Sequence, residues 1–208
     1  MSDTGFTECS AYLDQLYSID SSDLNAEGIA EIKINAKCIG DIDIYNDTYN
    51  EVMLHFTQEN VEIKGTIRLE NKGKLTLNLG NYKLFGTSSE NLEELVITST
   101  NLEDNSGWIK DVKLDNVLIN KGIVKLEGKS IIGRLNIEET LLDIDENAEL
   151  ISHEILVKSV DRDSNLRGKI TVRNSFIYDG KCITLDQSRL NQKNSFPVSE
   201  YIVSDYST

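Results

Sequence analysis

Proline is almost missing from this 208-residue chain: Pro197 is the only one. Proline deletes a backbone donor from a strand ladder, so its scarcity leaves room for nearly continuous sheet pairing. Histidine (two), tryptophan (one) and cysteine (three) are also sparse, and aromatic residues reach only 7%. Cys9, Cys38 and Cys182 are odd in number, far apart and without C-x-x-C spacing. A disulfide framework uses an even, denser set, so three reduced and mostly buried thiols in a cytoplasmic protein are expected. No apolar run approaches the ~20 residues of a membrane span. The start, MSDTGFTECS, has neither a basic n-region nor an apolar h-region, so an ordinary secretion signal is not expected. Lys and Arg nowhere cluster densely enough to follow a phosphate backbone, which argues against direct nucleic-acid binding.

Acid is what the chain has in excess. Asp and Glu number 35 against 21 Lys and Arg, for a formal net charge of −14. Such a field keeps a protein soluble, and it attracts basic partners or cations.

The opening residues differ from the rest. Leu13, Leu16 and Tyr17 fall at i, i+3 and i+4, with Tyr12 adjacent and Ser10 as N-cap, so a short amphipathic helix is expected. Ser18 to Glu27 then reads as a polar connection ending near Gly28. From Ala30 onward the apolar period becomes two. Ala30, Ile32 and Ile34 alternate with polar residues, as do Val61, Ile63, Ile67 and Leu69, and then Leu75, Leu77 and Leu79. Val112 and Leu114, Leu135 and Ile137, and Ile170 and Val172 repeat the pattern. This is the signature of strands with one buried and one solvated face, separated by Gly and Asn turns.

An internal repeat sharpens the reading. Val112 to Gly128 (VKLDNVLINKGIVKLEG) aligns with Ile170 to Asp186 (ITVRNSFIYDGKCITLD). Asn116 then matches Asn174, Leu118 matches Phe176, Gly122 matches Gly180 and Leu126 matches Leu185. Segments from Leu135, with Glu139 at the Asn position, and more loosely from Leu95 follow the same outline. Starts at irregular intervals of about 17 to 35 residues suit stacked solenoid units. Each coil would bury its apolar residues by stacking on its neighbours, with Asn side chains laddered at the bends. The expected fold is all-β: an irregular, single-stranded, right-handed parallel β-helix with a short N-terminal helix. Residues 1–28 would form a helical cap and connection, 29–190 the solenoid body, and 191–208 a tail or cap. An antiparallel β-sandwich is the alternative.

Glycine phrases recur before strands as CIGDIDI, EIKGTIRL, SIIGRLNI and LRGKITV. They are similar to the rungs of bactofilins, small bacterial β-helical proteins that polymerise. The four phrases lack that family's regular spacing, and the chain is not assigned to it. The resemblance implies a β-helix that self-associates.

Catalytic motifs are scarce. His55, in VMLHFTQ, and His153 have no motif around them, and a Cys38–His55 pair matches no known spacing. No G-x-S-x-G, P-loop or dinucleotide fingerprint occurs. Asp143, Asp145, Asn147, Glu149 and Glu154 fall at the ligand spacing of an EF-hand calcium loop. Ala148 replaces its glycine, however, and Ile151 occupies its ninth position. Calcium is therefore the only cofactor considered, against a solvated acidic turn. The carboxylate pairs Asp41–Asp43 and Asp143–Asp145 have the spacing of a sugar-processing site, although Trp108 is the only tryptophan. Tyr201, Val203 and Tyr206, in the last stretch, are candidate partner-binding residues or a cap over an open end.

The functional expectation is a non-enzymatic structural, assembly or protein-interaction protein of bacterial or phage type. It would form homo-oligomers or bind a protein partner, in the cytoplasm or on a virion. One alternative is an acidic inhibitor or immunity-type protein masking a basic nucleic-acid-binding surface. Another is a carbohydrate-active β-helix.

Overall fold

The computed structural model describes residues 17–18, 30–45, 51–70, 73–98, 106–166, 168–185 and 190–192. These residues form strands and turns only, and every strand pairing among them is parallel. The fold is therefore a parallel β-solenoid, and the antiparallel sandwich is set aside. The helix expected around Leu13 to Tyr17 lies outside the described residues except at Tyr17. That residue opens a short strand, β1 (Tyr17–Ser18), where pairing with the next coil overrides the helical spacing.

Each coil has three faces. Face 1 holds β2 (Ala30–Ile34), β5 (Glu51–Phe56), β8 (Lys74–Asn78) and β11 (Glu94–Thr98). Face 2 holds β3 (Cys38–Ile39), β6 (Val61–Ile63), β9 (Tyr82–Phe85) and β12 (Ser106–Lys110). Face 3 holds β1, β4 (Ile42–Tyr45), β7 (Thr66–Glu70) and β10 (Ser88–Glu90). Beyond these, single long strands bend through all three faces: β13 (Lys113–Glu127), β14 (Lys129–Ile144), β15 (Glu149–Leu166) and β16 (Lys169–Leu185). A short β17 (Leu190–Gln192) follows on face 3.

Alternation drives this geometry. Along β14 inward residues are buried and outward ones exposed, except where Gly133–Arg134 and Glu138–Glu139 place two outward residues in succession. Those double steps are the corners, where the chain turns and the period restarts. Inside, aliphatic columns run along the axis. Ile39, Ile63, Leu84, Ile109, Leu126, Ile144 and Leu166 stack rung upon rung, each at most 1% exposed. Each such side chain contributes about 1.5–3 kcal/mol by leaving water. Two of the buried hydroxyls donate to backbone: Thr87 to the Ile63 carbonyl (2.7 Å) and Thr140 to that of Glu138 (2.8 Å).

Among the described residues, no hydrogen bond joins Asn side chains of successive bends in the ladders expected from the repeat. Polar bend side chains instead bond the neighbouring coil's backbone. Asp41 Oδ1 accepts from Thr66 N (2.6 Å), Asn81 Oδ1 from Ser106 N (2.9 Å) and Asp111 Oδ1 from Lys129 N (2.8 Å). Asn116 Nδ2 donates to the Glu93 carbonyl (2.8 Å). Gly128, at φ 63°, lies where an added Cβ would overlap Asp111 Oδ1, so its bare backbone makes room for that bond.

Cysteine usage also departs from expectation. Cys38 is half-buried and disulfide-bonded, so three reduced thiols do not describe this structure. Disulfides belong to oxidising compartments, so the argument from cysteines to the cytoplasm loses its footing.

Candidate functional site

Face 1 presents three outward columns. The central one runs Met53, Thr76, Val96, Leu118, Asn136, Leu156 and Ile177. Ile177, at 51% exposed, is one of two large apolar side chains lying open among the described residues; the other is Ile131 on face 3. One flanking column carries Glu51, Lys74, Glu94, Asn116, Arg134 and Glu154, and the other His55, Asn78, Thr98, Asn120, Glu138 and Lys158. Parallel, in-register stacking places one residue above its counterpart about 4.8 Å away, so opposite charges on successive rungs meet directly. Arg134 pairs with Glu154 (3.1 Å), Lys158 with Glu138 (3.7 Å) and Lys74 with Glu51 (3.5 Å). His55 Nδ1 lies 3.2 Å from Asn78 Nδ2 and 3.8 Å from Glu31.

A cleft follows the corner where face 3 turns into face 1. One depression of about 380 Å³ is lined by Lys74, Glu93, Glu94, Asn116, Val117, Arg134 and Asn136. It meets a second, of about 440 Å³, lined by Asp115, Asn116, Gly133, Arg134, His153, Glu154 and Asn174. Asn116 and Arg134 belong to both. The lining offers amides, the His153 imidazole and both signs of charge, suited to a polar ligand, but no Phe, Tyr or Trp ring. The aromatic residues lie elsewhere: Trp108 and Phe85 sit edge to face on face 2 (5.6 Å), with Lys83 Nζ over both rings.

Face 3 shows the same electrostatic habit. Arg68 bridges Asp43 (3.1 Å) and Glu90 (2.8 Å), and those partners, Glu90 first, hold its guanidinium above its ordinary range. Glu149 accepts from Lys169 (2.9 Å) and pairs with Lys129 (3.3 Å); hydrogen bonds from these two lysines hold its carboxyl below the usual value near 4.5. A depressed carboxylate adds stability above its unfolded pKa and loses it as pH falls through the folded one. A Glu149 carboxyl resonance should accordingly titrate below pH 4.5 by NMR, and Lys169→Met should move the midpoint upward. A midpoint unmoved by the substitution would contradict the pairing. Exposed pairs of this kind add little to stability, because water and salt screen them.

The residues singled out in the sequence disperse over this frame. Asp143 ends β14 on face 2, Asp145 Oδ1 accepts from Asn147 N (2.9 Å) within the turn, and Glu149 opens face 3. Glu154 lies beyond the next corner, paired with Arg134. Among the described residues no three of His, Cys, Asp and Glu gather as metal ligands would. Asp41 caps Thr66 while Asp43 pairs with Arg68. Cys38 and His55 lie on different faces. Tyr201, Val203 and Tyr206 lie outside the described residues. The face 1 columns are not visible in the sequence, because cross-coil neighbours stand 17 to 27 residues apart.

The molecule is thus a three-faced parallel β-solenoid with charge ladders outside and aliphatic columns inside. No protein-family model matches the chain, and no curated protein or solved structure matches it either.

Proposed function

We propose that this protein is a non-enzymatic assembly element, a rigid β-solenoid that works by docking a flat face onto another protein surface. The observation that carries the reading is the make-up of face 1. A central column of Leu118, Asn136, Leu156 and Ile177 lies between two charged columns, so three aliphatic side chains sit within a polar rim, as at an interface. Rung-to-rung ion pairs hold the rim side chains in place before any partner arrives, which lowers the ordering cost of association. The rigidity comes from the scaffold, whose outward residues are fixed by strands rather than loops.

Light scattering coupled to size exclusion tests the reading. The expected result is a defined oligomer, with a native mass that is a multiple of 23.4 kDa. A strict monomer at about 50 μM, a concentration well above micromolar dissociation constants, would count against assembly.

A further inference from the structure

We propose that two copies of this chain dock through face 1 about a two-fold axis running parallel to the solenoid axis. The proposal rests on the assembly reading and adds the surface, the partner and the symmetry. Such an axis keeps each rung level with the same rung of the second copy, and it brings one flanking column against the opposite flank. Arg134 then faces Glu138 of the second copy, and Glu154 faces its Lys158. One rung below, Asn116 faces Asn120, amide to amide. Down the centre, Leu118, Leu156 and Ile177 each meet their own counterparts, and the two Asn136 amides meet each other as donor and acceptor.

The charges select this arrangement over its rival. A two-fold axis perpendicular to the solenoid axis, centred on Asn136, would set Arg134 against Arg134 and Glu138 against Glu138. Like charges placed together exclude that pairing. Centred midway between the Arg134 and Glu154 rungs, a perpendicular axis would pair opposite charges but set the Asn136 amide against Leu156, whereas the parallel axis gives that amide its own counterpart. The intrachain pairs Arg134–Glu154 (3.1 Å) and Glu138–Lys158 (3.7 Å) join across the parallel interface into alternating networks. The contact belongs to the Leu118-to-Ile177 end of the face, because at the far end Glu31, level with Met53, would face itself. Sheet twist likewise confines a flat contact to a few rungs.

Paired charge swaps test the proposal without disturbing the fold. Variant A carries Arg134→Glu with Glu154→Arg, and variant B carries Glu138→Lys with Lys158→Glu. Each preserves its intrachain ion pair, so its thermal melt should stay close to that of the natural chain, with B the lower of the two because Lys158→Glu lies level with Asp179. Across the proposed interface, each alone sets like charge against like. The natural chain should run at twice 23.4 kDa, and A or B alone at 23.4 kDa, with affinity weakened by about 100-fold or more. An equimolar mixture of A and B should regain the dimer, since every cross-interface pair becomes opposite again.

An oligomer unmoved by A and B would overturn this interface and leave the assembly reading standing. A dimer formed by A alone and by B alone would favour a perpendicular axis midway between the Arg134 and Glu154 rungs, where each swap keeps opposite charges facing. A natural chain that stays monomeric would overturn both, with face 1 then covered in cis or by a different protein.

Discussion

Leu84→Asp is expected to abolish folding. Leu84 is fully buried, between Ile63 and Ile109 in the aliphatic column that lies behind face 2. Removing the leucine alone costs about 2–5 kcal/mol. The carboxylate would lie among side chains that offer it no donor, and a buried unpaired charge adds several kcal/mol more. Together these match or exceed the 5–15 kcal/mol that holds a typical domain. Solenoid stability is a sum of rung and neighbour terms, so loss of one central rung also uncouples the rungs on either side. The far-UV circular dichroism of a strand-rich chain should be lost at 25 °C in water. Lys83→Asp, one residue earlier and outward, is the control. It removes the cation over Trp108 and should cost about 1 kcal/mol. Leu84→Asp melting within 1 kcal/mol of the natural chain would mean that this column is not the core.

The contrast between Lys83 and Leu84 is also what made the fold legible before any coordinates. Alternation in Ile32–Ile34, Val61–Ile63 and Leu75–Leu77 marks strands, and each of these residues is buried. The repeat located the coil ends correctly: Val112 is level with Ile170, and Leu126 with Leu185. Between those ends the alignment slips. Phe176 is level with Val117, not Leu118, because β16 carries an extra residue between Val172 and Ser175. Asn174 sits in that irregularity, and Asn116 is level with Ser175. The Leu135 phrase slips further, stacking on Val117 rather than Val112. A bulge leaves no mark in composition or period, so only the register reveals it.

Glycine phrases were legible as corners but not as one corner. Gly65 lies against Gly40 where face 2 turns into face 3, whereas Gly133 lies against Asp115 where face 3 turns into face 1. The candidate site was less legible still. Arg134, Glu138, Glu154 and Lys158 look like scattered surface charges until two adjacent coils bring them into pairs.

The acid excess has a location as well. Residues 1–29 hold six acidic side chains and no lysine or arginine. In the solenoid, by contrast, acids are drawn into rung-to-rung pairs: Asp43 and Glu90 share Arg68, and Glu149 takes both Lys129 and Lys169. The residues from 30 onward still hold 29 acidic against 21 basic side chains, so these pairs do not use up the acid excess there. Assembly through face 1 does not depend on that surplus, which is why the pair swaps conserve net charge.

Gly107→Val is expected to cost about 3 kcal/mol, and Tyr82→Val in the same chain should recover most of it. The two positions are adjacent in an inward column that runs Val61, Tyr82, Gly107, Val124 and Leu142. Tyr82 is 6% exposed, and a Cβ built on Gly107 would overlap the far end of its ring. The tyrosine therefore occupies the side-chain volume of two rungs, and glycine is what leaves that volume free. Burial also pushes the Tyr82 phenol above its ordinary range, and its oxygen is buried without a hydrogen-bond partner. An unsatisfied buried hydroxyl costs about 1–3 kcal/mol, so Tyr82→Phe should leave stability unchanged or raise it by about 1 kcal/mol. Tyr82→Val alone opens a cavity and should cost about 2–4 kcal/mol. Combined with Gly107→Val, it restores one branched aliphatic side chain per rung, as at Val61 and Val124. Urea denaturation of the two single variants and the double should yield a coupling of at least about 2 kcal/mol between the sites. Additive losses would show that the Tyr82 ring moves aside freely and that Gly107 is present for another reason.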